Sequence, residues 1–102
     1  MRLSETQVTS IRQLVSDAIV SLADNWQLWL FGSRLNDEAK GGDIDLCLCA
    51  DVSIERLTQL KWQLRPQLEE ALDIPVDLVV QSLQQPMKGI TQQVMKTGMR
   101  LI

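Results

Sequence analysis

No stretch of this chain approaches the roughly 18 consecutive apolar residues that would suggest a membrane span. Histidine is absent altogether, which removes imidazole from any catalytic or metal-binding scheme. Cysteine is limited to Cys47 and Cys49, one residue apart inside an apolar run. Neighbouring positions on the same face of one strand are poorly placed for a disulfide, so both read as small core or semi-exposed residues. No charged and apolar leader opens the sequence, and a reduced, cytoplasmic setting is the expectation. Low-complexity tracts, internal repeats and Pro/Gly-rich linkers are also missing, which leaves one domain over residues 1–102.

The residues present have ordinary globular proportions: 45% hydrophobic and 23% charged. A chain of 102 residues can close a core unaided, since autonomous folding usually fails only below roughly 40 residues. The net charge of −3 is unevenly spread. Residues 1–77 hold all 13 acids against 7 bases, a balance of −6, whereas residues 78–102 carry only Lys88, Lys96 and Arg100, a balance of +3. An acidic body argues against direct nucleic-acid binding, which needs a basic face.

Ser4 followed by Gln7 is a capping-box pair, and Val8, Ile11, Val15, Ala18 and Leu22 recur at helical spacing, predicting a helix over residues 5–23. Trp26 to Phe31 reads as a first strand ended by Gly32, and Asp45 to Ala50 as a second. Between them, residues 32–42 are too polar for core and too long for a tight hairpin turn. Asp37, Glu38 and Lys40 there read as solvated loop charges. Ile54, Leu57, Leu64, Leu68 and Ala71 mark a second helix, with Pro66 predicting a kink or break near Arg65. A third strand over residues 75–80 and a helix over residues 86–97 follow, with Arg100 to Ile102 as a possible further strand. The expected fold is a two-layer α/β (α+β) domain: a small mixed sheet with helices on one face. Trp26, Trp29 and Trp62 are expected in the core, with Trp62 also a candidate interface residue.

Acids at the mouth of a buried strand contradict strand propensity. Asp43 and Asp45 lie two apart and project to the same side. Their repulsion is most simply relieved by a divalent cation, and a site of oxygen donors points to Mg²⁺ or Mn²⁺. Asp77, alone on an apolar strand, is a third carboxylate if that strand neighbours the second. Three such groups can hold two ions roughly 3.5 to 4 Å apart, the arrangement used for phosphoryl-type displacement. Gly32 lets backbone approach a phosphate, Ser33 adds a hydroxyl and an amide N–H, and Arg34 adds a cation.

"FGSR" at residues 31–34, "GGDIDL" at 41–46 and "VDLVV" at 76–80 together resemble the minimal nucleotidyltransferases of the DNA polymerase beta superfamily. Nine residues separate Ser33 from Asp43, one fewer than the family's commonest spacing. The resemblance implies the polymerase beta-like fold, Gly32 and Ser33 at a nucleoside triphosphate, Asp43 and Asp45 as metal ligands, and Asp77 acting on the acceptor hydroxyl. It also implies a HEPN-type helical partner, in a two-component system where the nucleotidyltransferase is the antitoxin and can adenylylate the toxin.

The expected function is therefore Mg²⁺-dependent transfer of a nucleoside monophosphate, AMP from ATP, to a hydroxyl of a partner protein. So small a chain has little left to wall an acceptor pocket, so the acceptor comes from outside. An inert module that occludes its partner is the alternative. A small-molecule enzyme resembling the aminoglycoside nucleotidyltransferases is less well matched, since those carry a further domain. Homo- or hetero-oligomers fit either of the first two readings.

Overall fold

A computed structural model describes residues 3–32 and 43–102 of the chain. The elements run α1 (Glu5–Ile19), β1 (Trp26–Phe31), β2 (Ile44–Ala50), α2 (Ile54–Leu72), β3 (Val76–Ser82), α3 (Gly89–Thr97) and β4 (Met99–Arg100). The capping box is formed: the Gln7 N–H donates to Ser4 Oγ at 3.1 Å and the Ser4 N–H to Gln7 Oε1 at 2.9 Å. α1 stops four residues short of the expected end. The N–H groups of Leu22 and Ala23 both turn back onto the Ile19 carbonyl, so Leu22 and Ala23 still reach the core without continuing the helix.

The four strands form one mixed sheet in the order β3-β2-β1-β4. β1 is antiparallel to β2 and to β4, while β2 and β3 are parallel. Leu28, Leu30, Leu46, Leu48, Leu78 and Val80 face α1 and α2 in the main core, and these two helices form the expected layer. α3 lies on the other face, where Val94 packs with Cys47 and Cys49. The route explains this: β3 and β4 occupy opposite edges, the first face is filled, and the connection has to cross the second.

α2 runs unbroken through Pro66 for 19 residues, against the expected kink or break. A proline costs a helix interior about 3 kcal/mol. Leu57, Leu60, Leu64, Leu68 and Leu72 bury one stripe on both sides of it, at about 1.5 to 3 kcal/mol each, while Pro66 itself is exposed. The stripe wins. Trp62 falls off that stripe and is 62% exposed, correcting its assignment to the core; Lys61 Nζ lies 5.7 Å from its ring centroid. Trp26 and Trp29 do pack against the two core clusters.

β3 is an edge strand, and its outward backbone groups are partly taken by the chain's own side chains. The Val76 N–H donates to Glu69 Oε2 at 3.1 Å, and Lys88 Nζ donates to the Val80 carbonyl at 3.1 Å. Gln81, fully buried, ties the β3–α3 connection. Its Nε2 donates to the Ser82 and Pro86 carbonyls, and its Oε1 accepts from the Lys88 N–H and the Thr91 hydroxyl, all within 3.2 Å. Among the described residues no helix is long and apolar enough to cross a membrane.

Candidate active site

The strand register gathers the acids. Asp45 of β2 pairs with Phe31 of β1 on one side and with Asp77 of β3 on the other. Cross-strand partners share a face, so Phe31, Asp45 and Asp77 form one row at the mouth of the sheet, on the α3 side. The next row inward is Trp29, Cys47 and Val79. Asp43 stands exposed just before β2. Burial raises the Asp45 carboxyl above its ordinary value, and the charges of Asp77 and then Asp43 raise it further.

Gly32, next after Phe31, has a φ of +77°, in the region that disfavours any residue with a β-carbon. A β-carbon there would land on Asp45 Oδ2. The end of β1 therefore presses against the central carboxylate with backbone alone, leaving no side chain between them. Ser33 and Arg34, expected to hold phosphate, lie outside the described residues.

Among the described residues no three acidic or thiol side chains are drawn together tightly enough to hold an ion unaided. What the register does assemble is a set of oxygen donors whose mutual repulsion a hard divalent cation would relieve. That donor chemistry fits Mg²⁺ or Mn²⁺, which Asp43, Asp45 and Asp77 would be the residues to hold. Cys47 and Cys49, with sulfurs 3.9 Å apart, are free and wholly buried. A cleft of about 310 Å³ lies between α1 and α2, and one of about 270 Å³ between Leu22 and α2, and none of the site acids lines them.

A family model described as polymerase beta, nucleotidyltransferase, matches residues 19–102. The chain belongs to the polymerase beta nucleotidyltransferase family. The match covers every candidate residue of this nucleotidyltransferase and omits only most of α1 and the segment before it. Solved structures agree. One is a tri-AMPylated Shewanella oneidensis HEPN toxin in complex with an MNT antitoxin, at a TM-score of 0.70 and 29% identity, covering 98% of this chain and 72% of that one. Another is a toxin–antitoxin with AMP-PNP, at a TM-score of 0.71 and 30% identity, covering 93% and 72%. A third is the toxin–antitoxin MntA–HepT, at 0.69 and 28%, covering 97% and 72%. No curated protein matches the chain significantly by sequence.

Proposed function

We propose that this nucleotidyltransferase moves AMP from ATP, with Mg²⁺, to a hydroxyl of a HEPN-type helical partner, and so acts as an antitoxin. One observation carries the chemistry: Asp45 lies in register beside Asp77 while the side-chain-free Gly32 presses on its carboxylate. The partner follows from the complexes that the structural neighbours form.

Gly32 and Ser33 hold the triphosphate, with Arg34 offsetting its charge; Asp43 and Asp45 hold the metal, and Asp77 completes the set. When bound, Mg²⁺ offsets charge on the phosphates and lowers the pKa of a coordinated hydroxyl. Asp77, on the edge strand, orients the acceptor hydroxyl and takes its proton. The oxygen then attacks the α-phosphorus in line, forming a phosphodiester as the bond to pyrophosphate breaks.

Intact-mass spectrometry of a HEPN-type partner incubated with the chain, ATP and Mg²⁺ tests this. Each transfer should add one adenylyl mass to the partner. Neutralisation of the partner without any mass gain, and without need of nucleotide, would replace transfer with occlusion.

A further inference from the structure

We infer that Phe31 is the seat of the nucleotide's base, and that it makes this site favour purine over pyrimidine triphosphates through stacking. The inference rests on the nucleotidyltransferase reading above. It starts from the row Phe31, Asp45, Asp77. In-line displacement puts the leaving pyrophosphate and the attacking oxygen on opposite sides of the α-phosphorus. Gly32, on the β1 side, draws the pyrophosphate there; Asp77, on the β3 side, draws the acceptor. The β3 side of the row is thus committed to the acceptor, and the nucleotide, its pyrophosphate included, approaches from the β1 side.

One aromatic side chain stands in that position. Among the described residues Trp26 packs on the helical-layer core, Trp62 is exposed on α2, and Trp29 is one row inward with its Nε1–H donating to Gln27 at 3.1 Å. Phe31 is beside Asp45 itself and only partly buried, leaning with Met95 on the Cys47, Cys49 and Val94 cluster. A phenyl ring offers a π face and no hydrogen bond, so it selects by stacking area rather than by base edge. Larger purines gain more from it than pyrimidines do.

Calorimetry with Mg²⁺ and ATP, UTP or inorganic tripolyphosphate separates the possibilities. Phe31→Leu keeps an apolar side chain and removes the ring. It should weaken ATP about fivefold or more, since base stacking is worth roughly 1 to 3 kcal/mol. It should also narrow the ATP-over-UTP preference and leave tripolyphosphate unchanged. Phe31→Trp supplies a second measurement: its added indole emission should be quenched by ATP and not by tripolyphosphate. Equal weakening of ATP and tripolyphosphate, or equal quenching by both, would overturn the seat and leave the transferase reading intact. A wild-type chain that binds no triphosphate with Mg²⁺ would overturn both.

Discussion

Residue 32 approaches Asp45 so closely that a β-carbon on it would clash with the carboxylate oxygen Oδ2. The turn at the end of β1 and the central acid of β2 therefore behave as one unit. Gly32→Ala must both hold a φ of +77° and displace that carboxylate. Left-handed backbone alone costs a residue with a β-carbon about 1 to 2 kcal/mol, so a loss of at least this size is expected in denaturant unfolding, together with weaker Mg²⁺-dependent ATP binding. Unchanged stability and binding would mean the Asp45 side chain moves aside freely.

The raised Asp45 carboxyl has a stability consequence of definite sign. Its folded pKa lies above the ordinary 3.8, so the native state holds this proton more tightly than the unfolded chain does. Stability is then lost as pH rises from about that ordinary value through the raised one. Without metal, Asp45→Asn should melt higher than wild type at pH 7, with the difference vanishing towards pH 3. Mg²⁺ or Mn²⁺ should stabilise wild type more than the variant. Thermal melts across pH, with and without metal, check both.

Asp77 occupies the edge strand and is exposed, beside Asp45 and on the side away from Gly32. Asp77→Asn should keep most Mg²⁺-dependent ATP binding while adenylyl transfer falls by roughly 10² to 10⁴, the range for loss of a general base. Asp45→Asn should weaken both. Binding by calorimetry and transfer by mass spectrometry give the two readouts, and equal loss of ATP binding in both variants would count against Asp77 as the acceptor's residue.

Away from the site, Gln81 makes four hydrogen bonds from a fully buried position. Gln81→Leu fits the volume and strands their partners. An unsatisfied buried polar group costs about 1 to 3 kcal/mol, so urea unfolding should show a loss of at least about 2 kcal/mol. Amide exchange should rise first at Lys88, whose N–H donates to Gln81 Oε1.

The acids stood out in the sequence because of their spacing: Asp43 and Asp45 lie two apart, and Asp77 interrupts an apolar strand. Their assembly was not legible, since it depends on β3 lying beside β2 rather than β1, and strand order leaves no local trace. β1 matched its expected limits because Asn25 and Gly32 bracket it. Pro66 misled for the opposite reason: its helix-breaking signal is local, whereas the leucine stripe that overrules it draws its energy from α1 and the sheet. α3's choice of face depends on where β4 ends, which composition does not encode. Phe31 had one available signal, its even spacing from Gln27 and Trp29 towards the glycine, but only the register turns that into a place beside Asp45.

Glu69 and Lys88 cover backbone groups at the β3 edge, and the opposite edge is a strand of two residues, Met99–Arg100. A sheet bounded in this way is a poor template for recruiting further strands, because the hydrogen-bonding ladder that would extend it is interrupted on one side and short on the other. Association with another protein then has to be encoded in side chains. Backbone pairing is indifferent to sequence, whereas side-chain contacts are not, so a chain with blunted edges can remain faithful to one partner while sharing a crowded cell with many exposed strands.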